Sequence, residues 1–404
     1  MFIEGRFTRL IDRVRSQGAL PLRLELWNGR RVELAPQTTV TVSIPEPSAL
    51  RYFLGANLNK LGEAFIEGRI KVEGSIHEVF RVAEGLARSL ADSSQGRFYI
   101  LRRHSRARDR QAIEYHYDVS NDFYKLFLDA NMVYSCAYYR TEDDSLDLAQ
   151  TQKLDHILTK LMVRPGEQFL DIGCGWGALV LRAAQQYGAF ATGVTLSKNQ
   201  YAYAIDRINA AGLQDRCTVK LMDYRDLPGN GVYDKIASVG MFEHVGLKNL
   251  PEYFGKIRML LKEDGLLLNH GITTSDPQSR KLGLGIGEFI DRYVFPDGEL
   301  PHISLVLKEM SDAGFELNDV ESLRRHYALT CREWTDRLEA NRERGAQIAG
   351  DRRLRIWEIY LAGCAYGFAQ GWMNLYQILA CKSSNAQAKP LPLTRDYMYG
   401  QHTA

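Results

Sequence analysis

The sequence predicts an α/β protein in two parts: a parallel sheet with helices on both faces, preceded by a small α+β module. Three observations predict it. The chain has 404 residues, more than one hydrophobic core usually organises, so two domains are the default. From about Gln111 to Gly271 short apolar runs alternate with helical stretches, the pattern of a sheet covered on both faces. Within that region, residues 167–172 form an apolar run that enters Gly173-Cys174-Gly175-Trp176-Gly177, and helical spacing follows over 178–187. Strand, glycine turn and helix together bring backbone N–H groups against a nucleotide.

Taken in order, residues 22–27 alternate apolar and polar, Asn28-Gly29 is a hairpin turn, and 31–34 resume the alternation. Residues 40–44 alternate again before Pro45-Glu46-Pro47 interrupts the chain. Residues 65–74 read as a strand pair around Gly68, and 76–90 have helical spacing. This module, residues 1–100, carries no cluster of His, Cys or paired acids. A basic stretch follows, with Arg102, Arg103, His104, Arg106, Arg108 and Arg110, and 101–115 read as a linker. The same charges suit anionic headgroups, each worth about 1 kcal/mol near a membrane surface. The second domain is expected over 116–404.

Hydrophobic residues at 45% and charged residues at 25% argue against disorder. A net charge of +2 gives no global attraction for nucleic acid. The six cysteines contain no Cys-x-x-Cys pair, which suits neither a zinc site nor a disulfide framework and reads as reduced cytosolic thiols. Residues 1–10 lack the apolar run and cleavage site of a signal peptide. No stretch approaches the roughly 20 apolar residues that span a bilayer. A cytoplasmic protein is expected, meeting lipid only from that side.

The glycine turn alone would also pass as a dinucleotide fingerprint. Asp171 ends the strand before the first glycine. The second strand, 190–195, leads into Thr195-Leu196-Ser197-Lys198-Asn199-Gln200 and has no acid for a nicotinamide-cofactor ribose. The third ends at Met222-Asp223-Tyr224, an acid to accept from an adenine amino group and an aromatic ring to flank the base. These features favour S-adenosylmethionine (SAM) over NAD.

Five segments in order carry a family resemblance: His116-Tyr117-Asp118-Val119-Ser120-Asn121-Asp122-Phe123-Tyr124, Val133-Tyr134-Ser135-Cys136-Ala137-Tyr138, the run from Leu170 to Gly177, Thr195 to Gln200, and Met241-Phe242-Glu243-His244-Val245-Gly246. From about residue 100 onward the chain closely resembles the cyclopropane-fatty-acyl-phospholipid synthases, kin to the mycolic acid cyclopropane synthases. The resemblance implies a class I SAM-methyltransferase, Rossmann-like seven-stranded sheet. The front module resembles a sterol-carrier-like lipid-binding domain, which implies intact phospholipid as substrate. It implies that Tyr134, Ser135, Asp171, Gly173, Gly175, Thr195 and Gln200 line the SAM site, with Asp223 and Tyr224 near the adenine. It further implies a bicarbonate ion beside the methyl group, held by Cys136, Glu243, His270, Tyr327 and the backbone of Ile272. Cys364 matches a cysteine regarded in the family as a possible catalytic residue; helical surroundings without an adjacent base favour a buried structural thiol instead. A homodimer, peripheral on the phospholipid bilayer at the inner membrane, is also implied.

The chemistry asks for these residue types. Methylating an alkene leaves a carbocation, so water must be excluded by an apolar, aromatic pocket; aromatic faces add about 0.5–2 kcal/mol each. Tyr115, Tyr117, Phe123, Tyr124, Phe127, Tyr134, Tyr138 and Tyr139 supply rings, any one of which alone reads as core packing. A base must then reach the new methyl. Bicarbonate can donate its O–H to Glu243 and accept from His270, Tyr327 and the Ile272 amide; Glu243 acting as the base itself is the alternative. Glu243 and His270 each follow an expected strand, 235–239 and 266–269, where ligands of open α/β sheets bind.

At the C-terminus, 355–371 read as a helix, 374–382 as a final antiparallel strand, and the tail after Pro390 as an exposed end. The Gly- and Pro-punctuated residues 283–301 are expected to cover the acyl channel. Rival outcomes are a SAM-dependent lipid methyltransferase giving a methyl- or methylene-branched or hydroxylated chain, a non-catalytic lipid carrier, and a dehydrogenase.

Overall fold

The computed structural model describes residues 2–53, 58–90, 119–278, 299–382 and 391–399. The basic stretch from Arg102 to Arg110, Tyr115, Tyr117 and residues 283–298 of the expected cover lie outside them. The described chain divides into two compact units. One holds the residues up to 90 together with Thr335–Tyr366, and the other holds the rest.

In the first unit, β1 (Leu22–Leu26) and β2 (Arg31–Glu33) form the expected antiparallel hairpin, with Leu24 opposite Val32. β3 (Val40–Ile44) pairs parallel to the other side of β1, and β4 (Lys71–Glu73) closes the order β2-β1-β3-β4. Alternate residues Leu22, Leu24, Leu26, Val40, Val42 and Ile44 are buried, packing in one cluster with Phe7, Leu10 and Val14 and with Val82 and Leu86.

Residues 65–74 do not form the expected strand pair. Their first part belongs to a helix, Leu58–Ile66, in which Leu61, Ala64 and Phe65 join the core at helical spacing. Gly68 ends it at φ +66°: its N–H donates to Phe65 O at 3.0 Å, and Arg69 N–H to Ala64 O at 2.8 Å. These are the paired bonds of a glycine C-terminal cap. Gly68→Ala is expected to destabilise this unit by about 1 kcal/mol, since a side chain is disfavoured at that φ; the midpoint of urea unfolding, followed by circular dichroism, reads it. Thr335–Tyr366, within the stretch 116–404 expected as the second domain, packs in this unit by its contacts. His77 Nε2 lies 2.8 Å from Asp336 Oδ1, and Arg355 Nε donates to Ile66 O at 2.9 Å.

The second unit contains the seven-stranded sheet, in the order β10-β11-β9-β8-β5-β6-β7. β5 (Gln168–Ile172), β6 (Phe190–Thr195), β7 (Cys217–Leu221), β8 (Tyr233–Val239) and β9 (Leu261–Thr274) run parallel. β11 (Met373–Cys381) lies antiparallel between β9 and β10 (Glu316–Ser322). Helices Leu146–Lys160, Ala178–Tyr187 and Lys198–Ala210 contribute to one buried cluster, and Leu250–Leu260 with Ile303–Asp312 to a second. The strand order reverses between β5 and β8, which opens a crevice beyond their carboxyl ends.

Two expectations change here. β9 runs well beyond 266–269, so His270 sits inside the strand, paired with Gln377 of β11 and Val239 of β8. The tail is not an exposed end: Met398 is buried in the core, Arg395 Nε donates to Asp319 Oδ1 at 2.5 Å, and Tyr397 packs against the same core. Among the described residues no helix is long and apolar enough to cross a membrane.

Candidate active site

Beyond the ends of β5, β6 and β8 lies a cavity lined by all nine residues expected to meet the cofactor: Tyr134, Ser135, Asp171, Gly173, Gly175, Thr195, Gln200, Asp223 and Tyr224. The turn after β5 takes φ of +80°, +54° and +84° at Gly173, Gly175 and Gly177, a path that side chains other than glycine rarely follow. Asp171 is 3% exposed, and its Oδ1 has no hydrogen-bond partner among the described residues. Burial lifts its carboxyl to about 7, opposed by the charge of Lys153. Thr195 Oγ1 donates to Gln200 Oε1 at 2.8 Å, which fixes the amide. An unspent buried acceptor at the strand end, in a cavity floored by glycines, fits the amino-acid and ribose groups of SAM.

Asp223 is placed in the cavity, but with its carboxylate engaged: Arg225 Nε and Nη2 donate to its two oxygens at 2.9 and 2.7 Å. Tyr224 lines the cavity and also packs edge-on against Tyr253, at 5.5 Å.

Among the lining residues that sequence reasoning did not assign to the cofactor are Lys153 and Trp176. Lys153 is 2% exposed on the helix Leu146–Lys160 and donates to Ser135 Oγ at 2.7 Å. Its signal was faint: Lys153 and Lys160 lie two turns apart on one face of that helix, which also buries Gln150 and His156. Trp176 Nε1 donates to Asn121 Oδ1 at 2.8 Å, and its ring meets Tyr124 at 4.9 Å.

The residues expected to hold bicarbonate form a second group, joined through backbone. Glu243 lies in the single turn Phe242–His244 after β8, where Oε1 accepts from the Ile272 N–H at 2.6 Å. That amide is therefore spent on Glu243 rather than free for an anion. Ile272 pairs with Leu375, whose carbonyl accepts from Leu323 N–H at 2.9 Å. Leu323 O in turn accepts from Tyr327 N–H at 3.0 Å and faces Cys136 Sγ at 3.8 Å.

Glu243 Oε2 and His270 Nε2 are buried without partners among the described residues. Burial lifts Glu243 to about 7 and drives His270 well below its ordinary range, leaving the imidazole neutral. Gln377 Nε2, which can only donate, lies 3.2 Å from His270 Nδ1, so the ring proton sits on Nε2. Glu243 thus offers one unpaired acid-base oxygen and His270 one unpaired N–H among the described residues. Cys136 is fully buried and its thiol is raised by that burial, hence neutral.

Aromatic rings run from the first group to the second. Tyr124 meets Tyr134 at 5.5 Å, Tyr134 meets Trp334 at 5.1 Å, and Trp334 meets Tyr327 at 6.0 Å. Phe123 and Phe127 pack beside them, 6.1 Å apart. Tyr138 turns elsewhere, stacked between His156 and His326 at 4.1 and 4.8 Å, with Tyr139 beside His326. Cys364 belongs to the other compact unit, where burial pushes its thiol up to about 12; an un-ionised thiol of that kind is no nucleophile.

Comparison with known proteins decides the family. The model for mycolic acid cyclopropane synthetase matches residues 104–378, and a domain of unknown function matches 10–95. The chain belongs to the mycolic acid cyclopropane synthetase family. It is a SAM-dependent methyltransferase of that family, whose members carry out cyclopropane or methyl transfer onto lipid acyl chains. A probable fatty acid methyltransferase of Pseudomonas putida is 47% identical over 380 residues, 94% of this chain and 96% of that protein. The tuberculostearic acid methyltransferase UfaA1 of Mycobacterium tuberculosis is 35% identical over 89% of this chain and 87% of its own. The solved structure of the mycolic acid cyclopropane synthase CmaA1 with S-adenosylhomocysteine (SAH) and CTAB aligns at a TM-score of 0.64. It has 35% identity and covers 68% of this chain and 98% of that one.

Proposed function

We propose that this family member is a cyclopropane-fatty-acyl-phospholipid synthase, which joins the SAM methyl to a cis alkene of a phospholipid acyl chain and closes a cyclopropane ring, with bicarbonate as base. The observation that carries the reading is the pair of unspent buried atoms, Glu243 Oε2 and His270 Nε2. When bound, SAM supplies an electrophilic methyl and bicarbonate a small base.

The residues divide the remaining work. Asp171, Gln200 and the glycine turn hold and orient the cofactor. Glu243 Oε2 accepts an O–H while the neutral His270 donates from Nε2, so an acid and an anion share the site without simple repulsion. Tyr327 and Cys136 lie on the adjoining backbone. The rings of Tyr124, Tyr134, Trp334 and Tyr327 keep water from the cation until the proton leaves. In this reading the N-terminal unit is a sterol-carrier-like lipid-binding part, and a homodimer meets the phospholipid bilayer peripherally from the cytoplasmic side. Vesicle co-sedimentation and sedimentation velocity test those two features.

The deciding experiment incubates the full chain with vesicles of cis-monounsaturated phospholipid and SAM bearing a fully deuterated methyl. A product that has gained the carbon, lost one deuterium and resists mild alkene hydrogenation is expected; a methylene branch would also lose one deuterium but would take up hydrogen. Omitting bicarbonate under CO2-free gas is expected to slow the reaction reversibly. Full retention of deuterium would replace ring closure by methyl branching, the second reading, favoured by the likeness to a tuberculostearic acid methyltransferase. Turnover of free or carrier-bound acyl chains but not vesicles would remove the phospholipid from the proposal.

A further inference from the structure

Lys153 is a buried cation with most of its hydrogen-bonding capacity unspent. Its ammonium carries three donors; among the described residues it makes one hydrogen bond, to Ser135 Oγ at 2.7 Å. No carboxylate among them forms an ion pair with it. Asp129 acts on it only at longer range, and that carboxylate is itself occupied by the N–H groups of Asn131 and Val133 at 2.9 and 2.8 Å.

The same cavity wall holds Asp171, whose Oδ1 is also without a partner. A buried ammonium and a buried carboxyl therefore line one cavity, near enough to feel each other and yet not bonded together. Leaving both so is costly unless a ligand completes them. Arg225, which also lines the cavity, is already bonded to Asp223 through two nitrogens.

A ligand with an ammonium and a carboxylate on one carbon matches that arrangement, and the amino-acid end of SAM is such a group. Resting on the assignment of this cavity to SAM, we infer that Lys153, with Ser135, takes the α-carboxylate of the cofactor, leaving Asp171 for the α-ammonium. Burial lowers the Lys153 ammonium to about 8, so it remains mainly charged at neutral pH, and a bound carboxylate would hold it so. The arrangement also explains why a lysine is buried on the helix Leu146–Lys160.

The test is calorimetric and needs no turnover. SAH and its decarboxylated analogue, S-adenosyl-3-thiopropylamine, are titrated into the wild-type chain and into Lys153→Gln and Lys153→Arg. Wild type is expected to prefer SAH. Lys153→Gln is expected to lose about tenfold to a hundredfold in SAH affinity, the usual effect of removing a hydrogen bond to a charged group, while binding the analogue within about threefold of wild type. Lys153→Arg should recover part of the loss. Equal weakening of both ligands by Lys153→Gln would make the residue a structural support and overturn the inference, as would a wild type that does not distinguish the two ligands, which needs no variant to fold. Failure of wild type to bind SAH at all would instead overturn the cofactor assignment beneath it.

Discussion

Glu243→Gln is expected to lower turnover by about 10²–10⁴-fold, the usual contribution of a positioned acid-base group, and to leave SAH affinity within a few-fold. The amide oxygen can still accept from Ile272 N–H, now at 2.6 Å, so the turn keeps its place. What changes is the second position: an oxygen able to accept an O–H becomes an NH2 group. Glu243 does not line the cofactor cavity, which is why binding should survive. The pH profile gives an independent reading. Burial lifts this carboxyl from its ordinary value to about 7, against the pull of the Ile272 amide, so wild-type turnover should fall as pH drops through about 7.

The stability effect has the opposite sign. A carboxyl whose folded value is raised favours the folded state while it stays protonated. Its contribution is full below about 4.5 and is lost as pH rises through about 7. Wild type should therefore lose melting temperature over that window more than Glu243→Gln does. Retention of wild-type turnover by the variant would remove Glu243 from the chemistry.

The parts of this molecule that were legible in sequence are those written over a few consecutive residues. The turn from Gly173 to Gly177 needs left-handed backbone, and only glycines supply it without cost. Asp171 before it and the strand 190–195 were equally local. Over 65–70, by contrast, alternation and helical spacing overlap, and a short run cannot separate them. Residues that reach the core from one turn upstream, Leu61 and Ala64, decided for the helix.

The site shows the same division. Glu243 was readable because it follows a strand directly. The setting of His270 was not, because β9 continues past β8 only with β11 beside it, and Gln377, which fixes its tautomer, lies 107 positions away. Lys153 looks like an ordinary helix-surface lysine until the fold brings Ser135 and Asp171 against it. Its chemistry is a property of burial, which no local pattern states.

Gly271→Ala carries the second large effect, through packing. Gly271 sits on β9 between His270 and Ile272, and an added Cβ there would fall 2.1 Å from Phe242 Cε1 and 2.6 Å from Cζ. Phe242 is 2% exposed and immobilised in the core, so the ring cannot simply swing aside. Overpacking of this kind costs about 1–3 kcal/mol. The displacement has a direction that matters for function, because Phe242 is bonded in sequence to Glu243 and the single turn Phe242–His244 carries both. Pushing the ring away from β9 is expected to pull Glu243 Oε1 off the Ile272 amide, to which it is hydrogen-bonded at 2.6 Å. A misplacement of about 1 Å is enough to cost about a hundredfold in rate, so turnover should drop by that order even at a temperature where the variant is fully folded. Pairing the alanine with Phe242→Leu removes the obstructing ring atoms and should restore stability in part, a non-additivity that a double-mutant cycle measures directly. If Gly271→Ala lowered the melting temperature but left turnover per folded molecule unchanged, the ring would be a packing element alone, and the position of Glu243 would have to be set by something other than its neighbour.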